Sequence, residues 1–208
     1  MDSFQLDPIY PITASTAGGA GHLELARQFL AGGVRLLQVR EKKAPDARLL
    51  DELIEINRLC RARGARMIVN DRVDLALASG AAGVHLGQED LPVAAARAIA
   101  GNRLILGLST HSADEFLAAQ QLDVDYVALG PVYASSTKTD ARAPLGLELV
   151  RSLMPHKRHP VVAIGGIDPD RARRLWESGV DSVAVIHDII SAPDPTERII
   201  EYLRVSQG

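Results

Sequence analysis

Gln38, Arg40 and Lys42 stand at every second position of one short segment, Gln38-Val39-Arg40-Glu41-Lys42. In an extended chain a period of two puts such residues on one face. Two positive charges beside an amide then make a grip for an anion, each charge-assisted hydrogen bond contributing roughly 1.5–3 kcal/mol. An ordinary charged loop, with Arg40 and Lys42 paired to Glu41 or Asp46, fits the same segment taken alone. Asn70-Asp71 and Asp90 add two carboxylates. Mg²⁺ takes one or two carboxylates together with waters and substrate phosphate oxygens, so the pair suits Mg²⁺ next to a bound phosphate. Each aspartate alone also suits a helix cap, Asp71 before Val73 and Asp90 before Pro92.

Further along, Ser109 precedes Ser112, and Ser112 with Glu115 has capping-box spacing, which leaves Ser109 available to a ligand. Ser135, Ser136, Thr137 and Lys138 offer three hydroxyls and a cation, a set that suits phosphate and equally suits a surface loop. Gly165-Gly166 and Val185-Ile186-His187 are placed where backbone N–H groups can approach a phosphate. Other chemistries find little support. His22, His156 and His159 fall at helix starts or in loops, and His85 reads as a satisfied core residue inside a strand. No two histidines have metal-ligand spacing, no Ser–His–Asp arrangement stands out, and Cys60 reads as packing.

These residues need elements to position them. β-branched runs at 9–13, 36–40, 66–69, 83–86, 104–108, 126–129, 161–164 and 182–186 alternate with helical periods at 22–31, 46–63, 73–79, 92–99, 113–121, 146–154, 169–178 and 195–205. Asp168-Pro169 and Asp194-Pro195 each set an acceptor before a helix-starting proline, while Gly32-Gly33, Gly64, Gly80 and Gly179 mark helix ends. Eight βα units form either a closed (β/α)8 barrel or an open doubly wound sheet. Arg40, Asn70, Asp71, Gln88, Asp90, Ser109, Gly130, Gly165, Gly166 and His187 all fall at or just past strand C-termini. An open sheet gathers such residues at one or two switch points, whereas a barrel collects them around one rim. The expectation is therefore a (β/α)8 TIM barrel, a single domain over residues 1–208. Residues 130–144 are long for a βα loop, and their expected role is a lid.

Composition agrees. The 208 residues are 47% hydrophobic and 24% charged, enough apolar surface for a core without staples. A net charge of −3 argues against nucleic-acid and membrane-surface partners. A single cysteine excludes an intrachain disulfide, and no apolar run is long enough to span a bilayer. With no basic-then-apolar leader near Met1, the expected location is the cytoplasm.

Taken together, Gln38-Val39-Arg40-Glu41-Lys42, Asn70-Asp71-Arg72, Gly83-Val84-His85-Leu86-Gly87-Gln88-Glu89-Asp90, Gly130-Pro131-Val132-Tyr133 running to Thr137-Lys138, and Ala163-Ile164-Gly165-Gly166-Ile167 resemble the thiamine-phosphate synthase family. The resemblance implies a Mg²⁺-dependent transferase. It joins a hydroxymethylpyrimidine diphosphate to a thiazole phosphate, or its carboxylated tautomer, giving thiamine monophosphate and pyrophosphate by a dissociative route. It implies that the Gln38–Lys42 segment, with Asn70, Ser109 and Lys138, holds the pyrimidine diphosphate; Arg40, Ser109 and Lys138 would be catalytic. Asp71 and Asp90 would hold Mg²⁺, and Ser135, Ser136, Thr137, Gly166, Ile186 and His187 would complete the substrate contacts on the thiazole-phosphate side. Ser135 replaces the family's usual threonine and His187 its usual serine. Two alternatives are a thiazole tautomerase of the same family and a non-catalytic sensor of thiamine precursors. Asp90 and Pro131 favour the synthase, because the tautomerase branch lacks the second aspartate and uses a histidine early in the sixth loop.

Overall fold

The strands are apolar on the side that faces the helices and mixed on the inward side, so the two sides meet different neighbours. In the computed structural model, which describes residues 5–14, 20–134 and 143–208, eight parallel strands close in chain order into a barrel. They are β1 (Ile9–Ala14), β2 (Leu36–Arg40), β3 (Arg66–Asn70), β4 (Gly83–Leu86), β5 (Ile105–Thr110), β6 (Tyr126–Leu129), β7 (Val161–Ile164) and β8 (Ser182–Val185). Around them run α1 (His22–Ala31), α2 (Asp46–Ala62), α3 (Val73–Ser79), α4 (Val93–Ala100), α5 (Ala113–Ala119), α6 (Leu147–Leu153), α7 (Pro169–Glu177), α8 (His187–Ile190) and α9 (Pro195–Val205). Alternate residues such as Val39, Val69, Val84 and Val127 face outward and pack with the helices. The intervening ones, Tyr10, Ile12, Leu36, Ile68, Tyr126, Ala128, Val162 and Ala184, form a separate cluster inside the barrel. The (β/α)8 expectation holds. No helix among the described residues is long and apolar enough to cross a membrane.

The expected helix starts are realised. Ser112 accepts from the Glu115 N–H, Asp168 from Arg171, and Asp194 from Thr196 and Glu197. The Glu115 carboxylate reaches back to the His111 N–H at 2.7 Å, one residue short of the usual capping-box partner. Boundaries need correction: β5 runs on to Thr110, past the expected 108, and α5 stops at Ala119, short of the expected 121. The eighth strand stops at Val185, and Ile186 caps a short helix, α8, that the sequence reading left as strand and loop. The apolar, β-branched Ile186 looks like strand, yet its carbonyl accepts from the Ile189 and Ile190 N–H groups at 3.2 and 3.0 Å.

At the opposite end, Asp125 and Asp181 close the strand starts. Asp125 accepts from the Leu106 N–H at 2.7 Å and from Arg97 at 3.0 Å; Asp181 accepts from the Val161 N–H at 2.8 Å and from Lys157 at 2.9 Å. Removing such an acceptor leaves a strand N–H unpaired, at a cost of about 1–3 kcal/mol. Asp125→Ala is therefore expected to lower stability by about that amount in urea unfolding, with turnover unchanged because the residue lies at the far end from the polar rim.

Candidate active site

Where β2 runs out, Gln38 is buried inside the barrel and Arg40 is half-buried at its mouth. Glu41 turns away from the mouth. Its carboxylate accepts from the Lys42, Lys43 and Ala44 N–H groups at 2.7, 2.6 and 3.2 Å, and its other oxygen lies 3.1 Å from His22 Nε2. His22 is buried, with Nδ1 2.7 Å from the Thr13 hydroxyl. Glu41 thus shapes the loop that carries Lys42. Val39 packs outward among the helices, so a ligand can meet only its main chain. The reading of an ordinary loop paired to Asp46 is not realised: Arg72 engages the Asp46 carboxylate through two bonds, at 2.7 and 2.8 Å. Lys42 instead places its ammonium 3.7 Å from Asp71.

Asp71 follows β3 with φ of 63°, a left-handed conformation uncommon outside glycine. Its N–H donates to the His85 carbonyl at 2.8 Å, which anchors the turn to β4. Asp90 comes from the loop after β4 and accepts from the Gly87 N–H at 2.7 Å. Neither aspartate caps a helix, since α3 and α4 begin after Arg72 and Pro92 without a side-chain cap bond. Instead the Asp90 carboxyl group lies close enough to Asp71 to oppose its ionisation. Partial burial and this neighbour push Asp71 up to about 6, while Lys42 and Arg40 pull it the other way. A hard divalent cation can displace the proton that Asp71 retains and take oxygen ligands from both carboxyl groups, so the residues fit Mg²⁺. No group of three or more His, Cys, Asp or Glu that could hold a metal occurs among the described residues; the two carboxylates leave most of the cation's coordination to water and ligand oxygens. Beside them the buried Asn70 amide nitrogen has no hydrogen-bond partner, an unmet donor at the site.

Ser109 near the end of β5 completes this side. Its hydroxyl lies 2.8 Å from His85 Nε2, and its carbonyl accepts from Gln88 at 2.6 Å. His85 is satisfied, as the sequence suggested, but its partner is a predicted site residue. The signal was available in the period of two, which places His85 on the inward side with Gly83.

Across the rim, Gly165 and Gly166 have φ of 107° and 60°. A side chain on Gly166 would collide with the Ala134 carbonyl, so only glycine lets the loop after β7 lie against the loop after β6. Arg171, which sequence reasoning passed over, donates to the Gly166 carbonyl at 2.6 Å and lies 4.8 Å from the Tyr133 ring centroid. Tyr202 from α9 places its hydroxyl 3.0 Å from the Ile167 carbonyl and 2.8 Å from the Asp188 carboxylate, joining this loop to α8. Ile186 and the exposed His187 open α8, and His187 Nδ1 lies 3.0 Å from the Ser191 hydroxyl. Ser135, Ser136, Thr137 and Lys138, with most of the expected lid, lie outside the described residues.

The chain is similar to known proteins over most of its length. Residues 9–189 match a family model described as thiamine monophosphate synthase. A thiamine-phosphate synthase of Chloroflexus aurantiacus is 42% identical over 90% of this chain and 87% of its own. One from Moorella thermoacetica is 43% identical over 91% and 90%. The solved thiamine phosphate pyrophosphorylase of Pyrococcus furiosus superposes with a TM-score of 0.88 at 38% identity, covering 96% of this chain and 95% of that one.

The raised Asp71 value makes a prediction for the free protein. A carboxyl group raised from 3.8 to about 6 contributes stability that is complete below the unfolded value and is lost as pH rises through about 6. Asparagine tolerates the left-handed backbone and does not ionise. Asp71→Asn is therefore expected to stabilise the metal-free protein by about 1–2 kcal/mol above pH ~6, after allowing for solvent at this partly open site, and by nothing below pH ~4. Urea melts across this range check it.

Proposed function

The chain belongs to the thiamine monophosphate synthase family, and from that premise we propose that it condenses a hydroxymethylpyrimidine diphosphate with a thiazole phosphate to give thiamine monophosphate and pyrophosphate. The observation that carries this reading is the meeting of the Asp71–Asp90 carboxyl pair with Lys42 and Arg40 at one point of the barrel rim. Such a mixture of charge suits a diphosphate that shares a divalent cation with the protein, and does not suit a neutral ligand.

The residue roles follow from charge. Arg40 and Lys42 face the diphosphate, with the unpartnered Asn70 amide as a further donor. Gln38 and Ser109, inward-facing on β2 and β5, hold the pyrimidine end. Asp71 and Asp90 would hold Mg²⁺, which supplies positive charge to diphosphate oxygens when bound. The bond between the pyrimidine methylene carbon and the diphosphate oxygen breaks, its electron pair leaving with pyrophosphate. The thiazole nitrogen then gives its lone pair to that methylene carbon, forming the new C–N bond. No side chain need act as nucleophile, so the protein's work is to stabilise the charge gathering on the leaving group and to exclude water. Gly166, Ile186 and His187 face the second substrate's phosphate with main-chain N–H groups, those of Ile186 and His187 making no bond within α8. Lys138, Ser135, Ser136 and Thr137 are proposed to close the site from the loop after β6.

The test is to mix both phosphorylated precursors with protein and Mg²⁺. Thiamine monophosphate and pyrophosphate are expected in equal amounts. Turnover of the thiazole phosphate without pyrimidine diphosphate, or tight binding with no product, would overturn the proposal. Asp90→Ala is expected to lower turnover at least tenfold with an unchanged circular dichroism spectrum; tenfold is about 1.4 kcal/mol, a small share of a lost metal ligand's contribution. Full activity of that variant at limiting Mg²⁺ would remove Asp90 from the site.

A further inference from the structure

The loop after β7 is held by its carbonyl groups. Those of Ile164 and Gly165 accept from the Val132 and Tyr133 N–H groups of the loop after β6, at 2.8 and 3.1 Å. The Gly166 carbonyl accepts from the Arg171 guanidinium at 2.6 Å, and the Ile167 carbonyl from the Tyr202 hydroxyl at 3.0 Å. Consecutive carbonyls from Ile164 to Ile167 thus have donors from the loop after β6, from α7 and from α9. A trans peptide is planar, and its N–H points opposite to its carbonyl, so holding a carbonyl also fixes the N–H of the next residue. The bonds at Gly165 and Gly166 therefore aim the Gly166 and Ile167 N–H groups away from the donors that hold them.

The two side-chain donors are themselves set in place. Arg171 lies over the Tyr133 ring, 4.8 Å from its centroid, with its Nε 3.5 Å from the Asp168 carboxylate. Tyr202 is buried, and its hydroxyl reaches a second acceptor, the Asp188 carboxylate in the first turn of α8, at 2.8 Å. Arg198 Nε lies 3.7 Å from the same carboxylate. Burial, and then the Asp188 charge, push the Tyr202 phenol well above the usual tyrosine range, so it keeps its hydrogen and remains a donor. One hydroxyl from the last helix thus ties the loop after β7 to α8, the two segments on the second substrate's side of the rim.

We propose that Tyr202 and Arg171 are positioning residues for the second substrate, holding consecutive carbonyls of the loop after β7 so that the Gly166 and Ile167 N–H groups face its phosphate. This rests on the reading above in which Gly166 meets the thiazole phosphate. Both residues act through the main chain and on a phosphate that does not react. Their loss therefore weakens binding of that one substrate and leaves the chemical step alone.

Two measurements test it. Kinetics of Tyr202→Phe, which keeps the ring and loses the hydroxyl, separate this role from a general loss of structure. KM for the thiazole phosphate is expected to rise about fivefold, while kcat and KM for the pyrimidine diphosphate change less than about twofold. An equal rise in both KM values, or a rise in neither, would overturn the proposal. Amide NMR of the free protein, titrated with inorganic phosphate, needs no turnover. The Gly166 and Ile167 amide protons are expected to move downfield along a saturating curve in the wild type. The apparent affinity should fall about fivefold in Tyr202→Phe and about threefold in Arg171→Lys, which keeps the charge without the planar fork. No shift of either amide in the wild type, or unchanged affinity in the variants, would overturn the proposal. Should Tyr202→Phe fold poorly, Arg171→Lys, an exposed substitution, decides through both measurements. Failure of the wild type to make thiamine monophosphate would count against the functional reading, with the phosphate titration still deciding whether Tyr202 and Arg171 hold these N–H groups in place.

Discussion

Two carboxyl groups held side by side at the top of a barrel are the constraint around which the rest of this site is arranged. Partial burial opposes ionisation, and the neighbouring Asp90 carboxyl adds to the opposition, so Asp71 keeps its proton to about pH 6. The protein maintains this arrangement with a left-handed backbone at Asp71, a bond from its N–H to β4, and a bond from Gly87 to Asp90. It partly offsets the charge with Lys42, whose loop is wound onto the Glu41 carboxylate. The crowded carboxyl groups and the left-handed backbone weaken the empty protein, and the bonds and the cation hold the arrangement against that cost. All of them make sense once a cation and an anionic ligand share the space.

The barrel makes such crowding possible. Because all strands are parallel and close in order, their C-terminal ends converge, and inward-facing residues of neighbouring strands become neighbours in space. Asn70 pairs in register with His85, and the His85 ring meets the Ser109 hydroxyl, so β3, β4 and β5 each bring a polar side chain beneath the mouth. Below it the interior is polar as well as apolar: two tyrosines and a histidine cross the barrel as a hydrogen-bonded line where other side chains of the inner cluster simply pack. The far end is closed by the Asp125 and Asp181 clamps, so stability and chemistry occupy opposite faces.

Much of this was legible in the sequence. β2, β4, β6 and β7 begin and end where the β-branched runs do, because both faces of those strands are buried and nothing competes with the pattern. Gln38, Arg40, Asn70 and Ser109 were readable because polar residues at the end of an apolar strand have few other places to go. Three features were not. α8 was hidden because Ile186 and His187 carry no cap signal, and the turn is set by packing against α9. Glu41 was grouped with the anion grip, since charge alone does not reveal that a carboxylate spends itself on loop N–H groups and a buried histidine. His85 looked like core, because its partners, Tyr126 and Ser109, lie 41 and 24 residues away and meet it only after closure.

The central claim is that the carboxyl pair and the cations beside it act together on a diphosphate through a shared divalent ion. Calorimetric titration of pyrophosphate into the protein, with and without Mg²⁺, addresses it most directly. The account predicts at least tenfold tighter binding with Mg²⁺ in the wild type, and loss of that difference in Asp71→Asn, because the ion joins the ligand to the carboxylates. Equal affinity in the presence and absence of Mg²⁺, or an undiminished Mg²⁺ effect in Asp71→Asn, would contradict it.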